Sequence, residues 1–363
     1  MEPVPPPILS PLVLPLPSAA ILLEWYRAGH RVMPWRAPPG EFADPYHVWL
    51  SEIMLQQTLV AAVIPYFNRF LEAFPTIADL AAAPSEQVSG LWAGLGYYAR
   101  ARNLHECAKR VAAMGGFPAD IGQLRALPGI GPYTANAIGA IAFGIPALPV
   151  DGNIERVAAR IFAISDPVPG AKKQIAAAAG RFMDDRAAQA HPGDFAQALF
   201  DLGATICTPK SPSCLICPWQ AGCAAHAAGI AASLPARAEK ISRPGRFGAV
   251  FVLFDEAGLV GLRRRAPRGM LGGMLEFPGT AWDRRAAMEA LDPDAMMQAA
   301  PAAADWREAG EIMHVFTHFS LRLRVLTGQT RCLPQGLIGL APEEAELPSL
   351  MRKALDQALT LRA

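Results

Sequence analysis

Two carboxylates in this 363-residue sequence stand where acid–base chemistry is possible. Glu52 lies in a mainly apolar stretch of predicted helix, flanked by Trp49, Leu50 and Ile53. Removing a carboxylate from water disfavours its charged form, so Glu52 can stay protonated near neutral pH and act as a general acid. Asp151 directly precedes a predicted helix, whose N-terminus keeps a carboxylate ionised and able to face a cation. Two plainer roles stay open: an exposed Glu on a polar helix face and an ordinary helix N-cap.

The two side chains together form the pair that cleavage of a glycosidic bond requires. One acid protonates the leaving group, and one anion stabilises an oxocarbenium-like sugar. The same logic applies to N-glycosidic bonds, so the sequence predicts glycosidase chemistry if the fold brings Glu52 and Asp151 together.

Four of the six cysteines fall in one loop, CTPKSPSCLICPWQAGC. They are Cys207, Cys214, Cys217 and Cys223. Disulfides, zinc and an iron–sulfur cluster are the alternatives, and in a reducing compartment clustered cysteines favour a metal. Only Cys214 and Cys217 have the spacing of a zinc knuckle, whereas four thiolates from a single loop suit one cubane cluster. Cys107 and Cys332 stand alone and are interpreted as small core residues.

The segment LPGIGPYTANAI, residues 127–138, predicts a tight hairpin between two helices. Gly129 and Gly131 allow the chain to turn and its amides to approach a ligand closely, while Pro132 opens the next helix. A helix N-terminus offers unpaired N–H groups and positive dipole, so the hairpin is typical of a phosphate-binding device. As an isolated motif it would equally fit a plain inter-helix turn.

Several segments occur together in one order: PWR, VWLSEIMLQQT, LGYYARARNLH, LPGIGPYTANAI, VDGNIERV and the cysteine loop. In that order they closely resemble the motifs of MutY-type adenine DNA glycosylases, in the helix-hairpin-helix superfamily that includes endonuclease III. The resemblance implies an all-α helix-hairpin-helix glycosylase domain. It also implies a structural [4Fe-4S] cluster on Cys207, Cys214, Cys217 and Cys223, and a grip on the DNA backbone by Gly129 and Gly131.

The resemblance also implies roles at the reacting centre. Glu52 would protonate adenine at N7 and help to activate water, and Asp151 would stabilise the sugar cation. Asn153 and Tyr133 would position and polarise the centre. Because a tyrosine cannot form the Schiff base that lyase relatives make with a lysine at that place, the implied enzyme is monofunctional.

Other matching positions concern substrate binding. Since an extruded base leaves a gap in the stack, Gln57 and Tyr97 would wedge beside the orphaned partner base. The positions matching the wall of the adenine pocket are Arg31, Met33, Trp35, Arg36 and Asp201.

A second domain is indicated downstream. RRRAPRGMLGGMLEFPG resembles the start of a Nudix fold, but the acidic run that would hold Mg²⁺ for pyrophosphate hydrolysis is missing, so recognition rather than hydrolysis is expected. EIMHVFTHFSLRL resembles the loop that detects 8-oxoguanine. Phe316, Thr317 and His318 would be the residues in it that recognise the damaged base. The family usually has serine at position 317 and tryptophan where Leu275 stands. Alone, HVFTH would also fit a metal pair or a strand end.

The organisation expected from these patterns is multi-domain. Residues 1–18 form a disordered Pro-rich lead, 19–228 a helical catalytic domain containing the Fe-S loop 207–223, 229–245 a linker, and 246–363 an α+β Nudix-like domain for lesion recognition. Helices are expected to break at Gly and Pro, and strands are predicted in FGAVFVLFDEAGLVGLRRR and HFSLRLRVLTGQ.

Composition sets the remaining bounds. A net charge of +1 neither favours nor excludes nucleic acid, since main-chain donors can bind phosphates. No apolar run approaches the ~20 residues that span a bilayer, and the N-terminus lacks the features of a signal peptide. We therefore expect a cytoplasmic, nucleoid-associated monomer with no membrane partner, acting on double-stranded DNA with A opposite 8-oxoguanine or G. The rivals are an endonuclease III-like glycosylase with lyase activity and a non-catalytic Fe-S DNA-binding protein.

Overall fold

The computed structural model describes residues 15–97, 99–238, 244–266, 269–284, 292–316 and 318–361. The chain divides into two compact units, Met1–Ala238 and Glu239–Ala363, each described here by itself. Within the described residues, no helix has both the length and the apolar character to cross a lipid bilayer.

The first unit is helical, and its described residues contain no strand. Its helices are α1 Ala19–Gly29, α2 Pro45–Leu55, α3 Val60–Ala73, α4 Ile77–Ala82, α5 Ser85–Trp92, α6 Ala99–Ala113, α7 Ile121–Arg125, α8 Pro132–Phe143, α9 Gly152–Ile161, α10 Lys172–Gly180, α11 Arg186–Ala190, α12 Pro192–Thr205 and α13 Ala224–Ala227. Single 3₁₀ turns lie at Arg181–Asp184, Cys214–Ile216, Gln220–Gly222 and Ala231–Ser233.

Two apolar cores hold these helices together. One gathers buried side chains of α2, α3, α6 and α8, and the other those of α1, α9, α10 and α12 together with the cysteine loop. Helix α8 packs against both α2 and α12, and α12 packs against α9. This series of contacts brings the α2 residue Glu52 towards the start of α9.

The helix boundaries differ in one respect from the expectation that breaks fall at Gly and Pro. Residues 56–59, which contain neither, separate α2 from α3, and Gln57 adopts a left-handed φ of 59° there. Pro65 lies inside α3 without ending it. Pro65 is the sixth residue of α3, so its missing N–H removes the one hydrogen bond that it would donate to the Ala61 carbonyl.

Part of the predicted lead is packed against the first unit. Residues 1–14 lie outside the described residues, but Ser18 accepts a hydrogen bond on its side chain from the Ala20 amide and caps α1. The Ser18 carbonyl also accepts a hydrogen bond of 3.0 Å from the Trp219 indole N–H, in the cysteine loop. Residues 15–18 thus belong to the folded first unit.

The second unit is a mixed sheet with helices, as predicted. Its elements are β1 Gly245–Phe254, β2 Val260–Arg264, β3 Leu275–Glu276, α14 Pro293–Met297, β4 Arg307–Val315, β5 Ser320–Gln329, β6 Ile338–Leu340 and α15 Ser349–Leu359. The strand order is β3-β2-β1-β5-β4, and β6 pairs with β2. Among the strands that the structure describes, β1 and β5 form the parallel pair, over ten residue pairs. Helix α15 packs on β4, β5 and β1 through its buried apolar side chains.

The two isolated cysteines differ in environment. Cys107 is fully buried in the first core, as predicted, but Cys332 is exposed in the turn that follows β5, so its interpretation as a core residue is wrong. A lone cysteine near the end of a strand carries no sequence signal that separates the core from a turn.

Candidate active site

A cavity of about 710 Å³ opens in the first unit between α2, the starts of α8 and α9, and the segment 31–36. This volume lies within the usual range of small-molecule sites, roughly 300–1,000 Å³. Nine of the predicted site residues line it: Arg31, Met33, Trp35, Arg36, Glu52, Gln57, Tyr133, Asp151 and Asn153. The cavity therefore unites both carboxylates with most of the predicted adenine pocket.

Glu52 lies on α2, a helix that is buried around most of its circumference. The Glu52 residue is only 7% exposed, which removes the alternative of a solvated polar face. Burial raises the pKa of Glu52 to about 7, a hydrogen bond with the Tyr133 hydroxyl lowers it, and the charge of Asp151 raises it. Near neutral pH a large fraction of Glu52 thus carries the proton that a general acid needs.

Asp151 caps α9. Its Oδ1 accepts hydrogen bonds from the Asn153 amide at 2.9 Å and the Ile154 amide at 2.8 Å, and its Oδ2 accepts one from the Asn153 side chain at 2.8 Å. Burial raises the pKa of Asp151 above its usual value, and these hydrogen bonds oppose the rise. The plain role of N-cap and a role at the cavity coincide in this one carboxylate.

Behind the cavity wall, Asp201 fixes two arginines. Its carboxylate accepts hydrogen bonds from Arg31 Nε at 2.6 Å and from both terminal nitrogens of Arg36 at 2.9 Å. Burial alone would raise the pKa of Asp201, but hydrogen bonding and charge from Arg36 and Arg31 lower it below its usual value. Asp201 is 1% exposed and absent from the cavity lining, so it supports the wall from behind.

The two predicted wedge residues occupy similar backbone conformations. Gln57 and Tyr97 are both exposed and have left-handed φ values of 59° and 51°, a region that non-glycine residues seldom adopt. Arg100 joins the two turns, because its guanidinium donates to the Ile53 and Met54 carbonyls at 3.1 Å and to the Leu95 carbonyl at 3.0 Å.

Arg100 is therefore an internal support of these turns rather than the phosphate contact that a charged residue on this helix would suggest. Burial lowers the pKa of Arg100 below its usual value, and its guanidinium lies 5.3 Å from the Tyr97 ring centroid. Arg102, two residues later, is exposed. The spacing along α6 gave no sign that one arginine points inward and the other outward.

The predicted hairpin joins α7 to α8. Ile130 is 5% exposed and anchors the turn in the core, while Gly129 and Gly131 are exposed on either side of it. Gly129 has a φ of +75°, and a Cβ there would lie 3.1 Å from the Asn103 Cβ, so both backbone and space require glycine. The same hairpin places Tyr133, the second residue of α8, against Glu52.

Two arginines of α9 link Asp151 to the cysteine loop, and neither was singled out in the sequence. Arg156 donates to the Asn153 side chain at 2.8 Å, to the Gly203 carbonyl at 2.7 Å and to the Cys207 carbonyl at 2.7 Å. Arg160, 1% exposed, donates to the Cys207 sulfur at 3.2 Å and to the Leu234 carbonyl at 3.0 Å. Their i, i+4 spacing was the available signal, since it places both on one face of the helix.

The four loop cysteines are free thiols that line one small cavity with apolar walls. Among the described residues, no three His, Cys, Asp or Glu side chains are placed to hold a single metal ion. Burial, together with the neighbouring sulfurs, raises the pKa of Cys217 to about 11. Four thiolates in this space consequently need a cationic centre among them, which fits a cluster of several irons better than one ion.

In the second unit, the predicted lesion loop is the connection between β4 and β5. The Phe316 amide donates to the Phe319 carbonyl at 2.9 Å, and the Phe316 ring stacks on Phe319 at 4.8 Å and on Trp282 at 6.0 Å. His318 is exposed. Thr317 lies outside the described residues. Leu275, in β3, is 8% exposed and packs in the core of the unit.

Matches to protein-family models define the class. Residues 50–181 match the HhH-GPD superfamily of base excision DNA repair proteins, and residues 249–357 match the NUDIX domain. The predicted fold, a helical helix-hairpin-helix domain followed by a mixed α and β Nudix-like domain, is thereby confirmed.

Full-length relatives identify the family. The chain is 36% identical to a human adenine DNA glycosylase, over 92% of this chain and 72% of the relative, and 35% identical to the one from Rattus norvegicus, over 85% and 70%. A solved thermostable thymine-DNA glycosylase aligns with a TM-score of 0.49 at 26% identity, over 58% of this chain and 95% of that one. The chain belongs to the adenine DNA glycosylase family, and it is a DNA N-glycosylase of base excision repair.

Proposed function

We propose that the chain is a monofunctional enzyme that hydrolyses the N-glycosidic bond of adenine opposite 8-oxoguanine or guanine in double-stranded DNA. The observation that carries this proposal is Glu52, a buried carboxyl with a pKa of about 7 that shares a cavity and a hydrogen bond with Tyr133 and faces the charge of Asp151. An acid that is protonated at neutral pH beside a second carboxylate is the arrangement that glycosidic cleavage uses.

In the proposed steps Glu52 gives up one proton and later regains one. Glu52 transfers its proton to N7 of the extruded adenine, and the bond from C1′ of the sugar to N9 breaks with its electron pair leaving on adenine. The Asp151 carboxylate stabilises the sugar cation. Water then adds to C1′, and its proton returns to Glu52, so the acid of the first step is the base of the second.

The support for a monofunctional reaction is Tyr133. It stands at the hairpin position of the lysine in lyase relatives, and its hydroxyl is hydrogen-bonded to Glu52. A phenol forms no imine with the abasic sugar, so the product is an intact abasic site. Lys172 also lines the cavity, and its ammonium lies 3.8 Å from the Glu155 carboxylate.

We further propose that Cys207, Cys214, Cys217 and Cys223 hold a [4Fe-4S] cluster with a structural role. The support is their shared cavity and the Arg160 guanidinium, whose donor lies 3.2 Å from the Cys207 sulfur and offsets negative charge on a thiolate-bound cluster. When bound, the cluster ties the ends of the loop together. Purified protein should carry about four irons per chain, and Cys217→Ser should lower that number.

Recognition of the base opposite adenine is assigned to the second unit. The Phe316 ring offers a stacking surface and exposed His318 offers polar contacts, with Thr317 between them as the proposed hydroxyl donor. DNA is the partner, and we propose that the protein acts on it as a monomer in the cytoplasm, at the nucleoid.

The test is a single-turnover incubation with a duplex that contains one A opposite 8-oxoguanine, analysed with and without alkali. Strand scission only after alkali is the expected result. Scission without alkali would identify a lyase, with Lys172 the first amine to replace. No scission with an intact cluster would contradict catalysis altogether and leave a DNA-binding scaffold.

A further inference from the structure

The second unit contains a cavity of about 360 Å³ at the edge of its sheet, apart from the predicted lesion loop. Arg246 of β1, Arg263 of β2 and Arg265 just after β2 line it, together with Trp282. Glu276 of β3 is the only acidic residue among the described residues that line it. We call this site the arginine pocket.

The charges of the arginine pocket do not balance. Glu276, 6% exposed, accepts hydrogen bonds from Arg263 at 2.9 Å and from Arg265, so one carboxylate is shared by two guanidinium groups. Arg246 has no ion pair within the described residues, and its Nε is buried without a hydrogen-bond partner. Among the described lining residues three guanidinium groups face one carboxylate, and a bound anion would offset this excess of positive charge.

Two of the arginines are held on aromatic rings. The Arg246 guanidinium lies 4.2 Å from the Phe319 ring centroid, and the Arg265 guanidinium lies 5.0 Å from the Trp282 ring centroid. A guanidinium stacked on a ring keeps its N–H edge in a fixed direction, which suits two-point binding of a phosphate. Arg265 also donates from Nε to the Met270 carbonyl at 2.9 Å and from Nη1 to Glu276, so the fork that stays open for a tetrahedral oxyanion is that of Arg246.

The same rings connect the pocket to the lesion loop. Trp282 stacks on Phe316, and Phe316 stacks on Phe319, so one aromatic cluster has an arginine at each side and includes Phe316 of the loop. A phosphate in the arginine pocket would hold a nucleotide whose base can lie near that loop.

We propose that the arginine pocket binds a phosphate group, supplied by the DNA strand that carries the lesion or by a free phosphate compound. The chemistry is the same for both sources, namely charge-assisted hydrogen bonds to phosphate oxygens from the Arg246 fork and from the remaining Nη2 of Arg265. Unlike the acidic site of a magnesium-dependent hydrolase, this pocket binds the phosphate directly. The proposal uses the DNA binding of the family and does not depend on the roles of Glu52 and Asp151.

The experiment compares the full-length protein with Arg246→Gln and with Arg307→Gln as a matched control. Arg307 is an exposed arginine on β4 whose partner, Asp305, is also exposed. Affinity is measured between 50 and 300 mM salt for a duplex with 8-oxoguanine opposite a non-hydrolysable adenosine analogue. Inorganic pyrophosphate is titrated separately by calorimetry, and melting curves confirm that each variant is folded.

If DNA supplies the phosphate, Arg246→Gln reduces the slope of log affinity against log salt by about 0.9 and weakens binding about tenfold, while Arg307→Gln matches the wild type. If a free compound supplies it, pyrophosphate binds the wild type and Arg307→Gln but not Arg246→Gln, and the salt slope is unchanged. Should Arg246→Gln match the wild type in both arms, the proposal is overturned.

A second variant keeps the proposal testable if Arg246→Gln does not fold. Arg246→Lys retains the charge but not the planar fork, so it should keep the salt slope and lose several-fold in affinity. Wild-type affinity from Arg246→Lys in both arms would overturn the proposal. Because these measurements use no cleavable substrate, their failure is distinguishable from a failure of the proposed excision chemistry.

Discussion

The candidate sites of the two units differ in the solvent exposure of their key side chains. In the first unit, Glu52 is 7% exposed and Asp151 is hydrogen-bonded to the α9 backbone, so both proposed reacting groups are fixed in the absence of substrate. In the second unit, exposed His318 and the Phe316 ring lie at the tip of a β-hairpin on a stack of rings. Acid–base chemistry requires desolvation to shift a pKa, whereas recognition of a base requires access.

This difference predicts a separation of effects. Changes at the first site should alter the rate of excision with DNA binding intact, and changes at the second should alter affinity or discrimination with the rate at saturation intact. Each prediction below tests one side of that separation.

The largest expected effect is on Glu52→Gln, which keeps the shape of the side chain but cannot deliver the proton. We expect the single-turnover rate to fall by roughly 10²–10⁴-fold, the range of general acid–base catalysis, with duplex affinity unchanged. Glu24→Gln, at an exposed position of α1, is the matched control and should retain full activity. A Glu52→Gln protein that excised adenine normally would remove Glu52 from the mechanism.

The next effect is on pH dependence. Because the protonated form of Glu52 acts, the rate should fall about tenfold per pH unit above its pKa of about 7. The Tyr133 hydrogen bond lowers that pKa, so Tyr133→Phe should raise it and move the falling limb to higher pH. A limb at the same pH in both proteins would mean that another group titrates.

The same residue should also make the free energy of unfolding depend on pH. The folded-state pKa of Glu52 is raised from 4.5 to about 7, so the native protein binds this proton more tightly than the unfolded chain. That contribution is fully present below the unfolded pKa and is lost as pH rises through about 7. Between pH 5 and 8 the wild type should lose about 2.5 kcal/mol that Glu52→Gln does not lose.

Denaturant unfolding of both proteins at the two pH values measures this difference. Equal pH dependence of wild type and Glu52→Gln would show that Glu52 is not buried as described. If Glu52→Gln has a larger free energy of unfolding than the wild type, the acid at position 52 destabilises the native state.

Sequence reasoning named the candidate residues for chemistry better than the residues that support them. Glu52, Asp151 and Tyr133 were found because their surrounding motifs are local in sequence, and the structure places all three around one cavity. Arg100 and Arg160 were not assigned as supports. Their partners are carbonyls and a sulfur far along the chain, and such contacts exist only after the helices have packed.

The fold shows the same limit. The strands beside the Asp-Glu-Ala-Gly turn were predicted, since alternation and turn chemistry are local signals. The break at residues 56–59 was not, because it is held by Arg100 rather than by a glycine or proline at the turn itself. Long-range hydrogen bonds can impose a left-handed residue that no local propensity indicates.

The smallest expected effect concerns discrimination by the lesion loop. Phe316→Ala removes the ring between Trp282 and Phe319, and an aromatic contact of this kind contributes about 0.5–1.5 kcal/mol. The preference for A opposite 8-oxoguanine over A opposite guanine should fall about three- to tenfold, measured as the ratio of affinities, with the rate at saturating enzyme unchanged. Val315→Ala, at an exposed β4 position next to Phe316, is the control and should keep the wild-type preference. If Phe316→Ala slowed excision at saturation instead, the two units would act jointly in catalysis, and the division between a site for chemistry and a site for recognition would not hold.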